Sequence, residues 1–289
     1  MYNLSPLPAS PLTLRYFCAH LSKTVRHSTI KLYLSALRLL HIEHGFPDPT
    51  ADTLLQYVVK GIKRSQSSPT ANRLPITTQM LRDLKTALHR ARALAVHDKR
   101  MLWAAFCTAF YGLLRASEFC SPSTHSFDPS RTLCHSDLTF LPFSANLRIK
   151  ASKTDQFHKT STVTIGSTNT STCPVAALKK YLLFITAQPH KPLFRFLDGT
   201  YLTRDSFTIH LRSLLQSLGV DPATYASHSF RIGAATTAAA AGLPDWQIQA
   251  MGRWSSDCYT RYIRTLPTIF ANASRTLATH NLSLHPDQA

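Results

Sequence analysis

The sequence is short of carboxylates: 15 Asp and Glu stand against 32 Lys and Arg, leaving a formal charge of +17 although only 16% of its 289 residues are charged. The excess therefore comes mainly from missing acids. So few carboxylates do little to shield a polyanion from the basic groups, which favours nucleic acid over an acidic small molecule as partner. A merely basic enzyme is the bland alternative. Long apolar runs are absent too: the best, 102–114, contains Thr108 and Gly112 and falls short of the roughly 18 residues a bilayer crossing needs. No membrane span or membrane partner is expected. The opening MYNLSPLPASPL has no basic region followed by an apolar segment, so no secretory signal and an intracellular location are expected. No CxxC pair occurs among the cysteines at 18, 107, 120, 134, 173 and 258, which are expected to be reduced thiols. The grouping Cys120, His125, Cys134 and His135 matches no common zinc spacing, and no metal is expected there.

What is present is enough apolar content, 44%, to build a core, in a length that suggests two domains. From Ser28, read as an N-cap, Ile30, Tyr33, Leu34 and Leu37 fall at helical spacing and Gly45 supplies a stop. A second helix over 52–62 ends in the basic residues Lys60, Lys63 and Arg64, which suit a DNA-facing surface better than an active site. SQSSPTANRLP then has linker composition. The expected division is a helical domain over 1–68, a linker over 69–75 and a larger domain over 76–289. In the latter, Leu81, Leu84, Leu88 and Ala91 share one stripe, and 100–114 reads as a core helix. The period then changes: LTFLPF, LRIKAS and STVTI read as a small antiparallel sheet. Helices resume over 174–186 and 205–218, followed by short helices punctuated by Gly242, Pro244 and Gly252. The expected fold is mainly α with a small antiparallel β-sheet.

The chemistry-bearing pattern begins at Ser227-His228-Ser229-Phe230-Arg231. His228 and Arg231, three apart, share a helical face near an N-terminus, where free backbone N–H groups favour an anion such as phosphate. Alone, HxxR is more often a surface pair. Here it is followed by Gly252-Arg253-Trp254 and by Tyr262, ten residues beyond that glycine. The block SHSFRIGAATTAAAAGLPDWQIQAMGRWSSDCYTRYIR resembles the C-terminal signature of the tyrosine recombinases, or phage-type integrases, and its GRW form resembles recombinases of eukaryotic mobile elements. Upstream, YGLLRASEF resembles the family's arginine block and points to Arg115 with Glu118 as its support, although one extra leucine separates Gly112 from that arginine. RIKASKTDQFHKTSTVTI places Lys153 at a turn between strands. The resemblance spans Pro75 to the end of the chain, and the N-terminal helices resemble a shortened core-binding domain.

The resemblance implies an enzyme that cuts and rejoins double-stranded DNA, clamps it as a synaptic homotetramer, and needs neither ATP, metal nor another cofactor. Tyr262 would attack phosphorus, Arg115 and Arg231 would neutralise the nonbridging oxygens, and Lys153 would protonate the leaving 5′ oxygen. His228 would donate to the phosphate or accept the tyrosine's proton, and Trp254 would offer its indole N–H and a wall against water. Lys150 and Lys159 compete with Lys153, Tyr259 with Tyr262, and a gap-free placement on Tyr262 would put Arg253 rather than Trp254 at the family's His or Trp position. A nuclear location follows from the eukaryotic-element resemblance, with only the KGIKR run at 60–64 as a localisation signal. The rival readings are a domesticated recombinase that binds DNA without cutting, a helix-turn-helix module around Gly242-Leu243-Pro244, a type IB topoisomerase and, remotely, a serine hydrolase.

Overall fold

The computed structural model describes residues 7–66, 73–151, 160–185 and 188–264, together with 275 and 278. The chain separates into two compact units, Met1–Asn72 and Arg73–Ala289.

The first unit is helical: α1 (Pro11–Leu21), α2 (His27–Glu43) and α3 (Thr53–Ser65). Its small core comprises Ala9, Leu14, Cys18, Ile30, Leu34, Leu55 and Ile62. Helix α1 starts where Ser10 accepts from the Thr13 N–H and Pro11 supplies a preset φ. It went unread in the sequence because it buries only Leu14 and Cys18. Ser28 is not the cap of α2. The cap is Arg26 and the helix begins two residues earlier than that reading places it, because the Gln66 side chain at the end of α3 accepts from the His27 N–H at 2.6 Å and donates to the Ser22 and Val25 carbonyls at 2.8 and 2.9 Å. A side-chain amide from a distant part of the sequence thus replaces the local hydroxyl. Gly45, at φ +73°, does end α2.

The second unit is built round α5 (Val96–Tyr111), which packs against α4 (Thr78–Arg90), α7 (Pro174–Leu182) and α9 (His228–Ala240). Phe106 of α5 lies 5.1 Å from Phe207, on α8 (Arg204–Ser217), and 5.2 Å from Phe230. The helix ends three residues short of the expected 114. Leu113 takes a positive φ of 46°, so Leu113 and Leu114 are buried in a turn rather than in helix. That turn leads into the one-turn α6 (Ala116–Phe119). The sheet is antiparallel in the order β1 (Leu138–Phe140), β2 (Ser144–Ile149), β3 (Ser161–Gly166), with Leu147 opposite both Leu138 and Val163. Alternation buries Ala145, Leu147, Ile149, Val163 and Ile165 on one face. The expected mainly α fold with a small antiparallel sheet is the observed one.

Two features fix the end of this unit that carries α9 and α10. At Gly233 a Cβ would lie 1.9 Å from the Ile76 carbonyl oxygen, so only glycine lets α9 meet that backbone. The Ile76 N–H donates to the Ser229 carbonyl at 2.9 Å beside it. Further on, α10 (Asp245–Gly252) stops at Arg253, a non-glycine residue in the left-handed region, and a 3₁₀ turn follows over Asp257–Tyr262.

Candidate active site

Arg231 stands in the first turn of α9 and is fully buried. Its guanidinium donates to the Leu113 carbonyl and, at 2.6 Å, to the Gly252 carbonyl. The turn after α5 and the end of α10 therefore frame one cation. Burial and then the neighbouring Arg115 lower its pKa to about 10, so it remains charged at neutral pH. Its Cζ lies 4.2 Å from the centroid of the Trp254 ring and 5.4 Å from that of Tyr262.

Trp254 reaches that position because Gly252 is bare: a Cβ there would sit 1.8 Å from the indole. The ring centroids of Trp254 and Tyr262 are 4.9 Å apart, and those of His228 and Tyr262 are 5.1 Å apart. Tyr262 is half-buried. Its carbonyl accepts from the Thr236 hydroxyl at 3.1 Å, and the same hydroxyl accepts from the Arg264 N–H at 3.0 Å. Thr236 of α9 was missed in the sequence, where a threonine among alanines gave no signal. Tyr259 is instead buried beside Trp254, with ring centroids 6.2 Å apart.

His228 keeps an exposed edge, yet its partial burial, followed by the charges of Arg231, Arg115, Arg204 and Arg264, lowers its pKa to about 4. It is neutral at pH 7, with one ring nitrogen able to accept a proton and the other able to donate one. Arg115 enters from α6. Its backbone N–H donates to Glu118 Oε2 and its guanidinium to Glu118 Oε1, both at 2.9 Å. The Glu118 carboxylate is fully buried and also accepts from Arg253 at 2.6 Å. Glu118 thus carries two arginines.

The structure brings Arg115, Glu118, His228, Arg231, Trp254 and Tyr262 together. Lys153 and Lys159 lie outside the described residues. Lys150 is engaged elsewhere: its ammonium pairs with the buried Asp137 and donates to the Pro129 carbonyl at 2.8 Å. Lys60, Lys63 and Arg64 are exposed on α3 in the first unit, where Lys60 and Lys63 join His27, Lys31 and Arg38 around a cleft of about 410 Å³. Among the described residues no three His, Cys, Asp or Glu side chains gather as metal ligands, and the six cysteines are unbonded.

Chemically, the arrangement offers donors that an anion's oxygens can satisfy. Arg231 Nε and Trp254 Nε1 are buried donors without a hydrogen-bond partner among the described residues. Each such donor costs about 1–3 kcal/mol, a cost that an anion's oxygens would remove. Beside them stand a phenol and a neutral imidazole.

No protein-family profile matches the chain. An integrase/recombinase XerD homolog of Selenomonas ruminantium is 28% identical over 249 residues, covering 82% of this chain and 68% of that protein. Among solved structures, the Tn1549 transposon integrase in complex with circular intermediate DNA has a TM-score of 0.63 at 15% identity, over 93% of this chain and 85% of that one. XerH site-specific recombinase, bound to a palindromic difH substrate in a post-cleavage complex, gives 0.61 at 13% identity, over 93% and 70%. A lambda integrase dimer bound to a COC′ core site gives 0.58 at 13% identity, over 91% and 67%. The sequence relative and the solved structures point the same way: the chain is similar to an integrase/recombinase and shares the fold of DNA integrases and recombinases.

Proposed function

We propose that this protein is a site-specific DNA recombinase that cuts and rejoins strands by transesterification through Tyr262. The observation that carries the reading is the convergence on the Tyr262 ring of His228, Trp254 and the Arg231 guanidinium, at 5.1, 4.9 and 5.4 Å. The phenolic oxygen attacks the scissile phosphorus while the P–O5′ bond breaks, leaving a 3′-phosphotyrosyl link and a 5′ hydroxyl. Arg231 and Arg115 neutralise the charge that grows on the nonbridging oxygens. His228 takes the phenolic proton, and Trp254 supplies an indole N–H and excludes water. Lys153 protonates the departing 5′ oxygen, an assignment supported by the commitment of Lys150 to Asp137. One ester replaces another, so strand joining by the reverse attack needs no nucleotide hydrolysis.

The first unit contacts duplex DNA through the basic residues Lys31, Arg38, Lys60 and Lys63 around its cleft and through Arg64, exposed on the same helix as Lys60 and Lys63. Four protomers assemble on paired sites. Kinship with eukaryotic mobile-element recombinases, and a nuclear location with it, rests on the Gly252-Arg253-Trp254 form alone; the Selenomonas ruminantium relative is bacterial.

The test is incubation with a nicked suicide DNA site followed by denaturing electrophoresis. A covalent adduct is expected with the parent and with Tyr259→Phe and not with Tyr262→Phe. An adduct that persists in Tyr262→Phe moves the nucleophile elsewhere, and DNA binding with no adduct in any variant makes this a non-cutting DNA-binding protein.

A further inference from the structure

We propose that Arg253 is a positioning residue that keeps the positive charge of Arg115 available to the scissile phosphate. The inference rests on the recombinase reading above and concerns a residue to which that reading gives no part.

Placing the chain on Tyr262 without a gap puts Arg253 at the family's His or Trp position, but the structure turns it away from the phenol. Arg253 adopts a left-handed backbone at φ 56°, an uncommon conformation for a side chain of this size. Its guanidinium binds Glu118 Oε2 at 2.6 Å and the Gly112 carbonyl at 3.3 Å. Arg115 binds the other carboxylate oxygen, Oε1, at 2.9 Å. Arg253 therefore holds both the start of the turn that delivers Arg115 and the carboxylate on which Arg115 rests.

Charge balance gives this arrangement its consequence. The Glu118 side chain has no exposed surface, so its charge is offset by neighbouring cations rather than by water. With two guanidiniums on one carboxylate, the group carries a surplus of one positive charge. Remove Arg253 and Arg115 becomes the nearest counter-charge to Glu118, so the surplus that would meet a phosphate disappears. A residue acting this way matters when the phosphate is charged and little when it is not.

A methylphosphonate at the scissile position, with a methyl group in place of one nonbridging oxygen, supplies that contrast, because its phosphorus centre is uncharged. Single-turnover adduct formation is measured on phosphodiester and methylphosphonate sites with the parent, Arg253→Met and Arg253→Lys. Arg253→Met is expected to slow the phosphodiester by about 30-fold or more and the methylphosphonate by no more than about 3-fold, since loss of one charge-stabilising group typically costs 10²–10³. Arg253→Lys keeps the charge and is expected to recover most of the phosphodiester rate. Arg253→Gln, which keeps a donor for Glu118 and no charge, carries the same comparison if the methionine variant does not fold. Equal slowing on both substrates, or none on the phosphodiester, overturns the proposal while an adduct with the parent leaves the recombinase reading standing. No adduct with the parent on either substrate overturns both.

Discussion

Gly252→Ala is the sharpest probe of the site, because it adds one methyl group and changes no charge. The new Cβ would lie 1.8 Å from Trp254 Cζ3 and 2.0 Å from Cε3, where ordinary contact begins at 3.4 Å, so the indole must retreat by about 1.6 Å. It cannot do so without leaving the guanidinium of Arg231, 4.2 Å from its centroid, and the Tyr262 ring, 4.9 Å away. Overpacking of this kind costs about 1–3 kcal/mol of stability. The lost stacking of a desolvated guanidinium on indole adds up to about 2 kcal/mol. For catalysis, a displacement of about 1 Å near the reacting atoms can cost 10²-fold, so adduct formation should slow by about 100-fold or more. Thermal melting shows whether the variant is folded, and single-turnover adduct formation on a suicide site gives the rate. A folded Gly252→Ala protein that forms adduct within about 3-fold of the parent would refute the claim that Trp254 must stay where it is.

Lys153→Ala should slow cleavage of an ordinary phosphodiester yet leave cleavage of a 5′-bridging thiol-substituted site nearly unchanged, since a thiolate departs without a proton. Lys150→Ala should instead lower the melting temperature and spare that substrate ratio, because it leaves the buried Asp137 with Arg148 as its remaining cation among the described residues. The folded His228 binds a proton less readily than the unfolded one, at about 4 against 6.5. Between these values the unfolded chain holds more protons, so stability falls as pH drops from about 6.5 to about 4 and levels off below; denaturant titration of the parent against His228→Gln isolates that component, and identical pH curves would contradict it. Paired substitution of Lys60 and Lys63 by Ala should weaken DNA binding and lower the log–log salt slope by about 0.9 for each phosphate left without its lysine, as binding titrations across salt concentrations would register.

The sequence made the second unit's architecture readable wherever the signal was local and periodic. Leu81, Leu84 and Leu88 are buried on α4 as the stripe requires, and the change to period two marked the three strands. HxxR, GRW and the tyrosine ten residues past Gly252 named side chains that fold into one neighbourhood. What escaped was non-local. Gln66 caps a helix that starts 39 residues earlier in the chain, and no rule of adjacent residues could find it. Thr236 holds the Tyr262 backbone from two turns beyond His228. Arg253 read as a possible member of the phosphate site, but its left-handed backbone sends it to Glu118, and backbone handedness at a non-glycine residue is not written in side-chain pattern. Nothing in the sequence around Gly233, in an alanine-rich helix, signals the Ile76 main chain that lies against it.

That bare contact has a mechanical consequence. Most neighbouring segments in a protein are separated by side chains that can rotate and absorb a displacement, whereas here main chain rests on main chain with nothing compressible between. A displacement of the polypeptide at Ile76, just ahead of α4, therefore meets the backbone of α9 directly, at Gly233 and through the hydrogen bond to the Ser229 carbonyl.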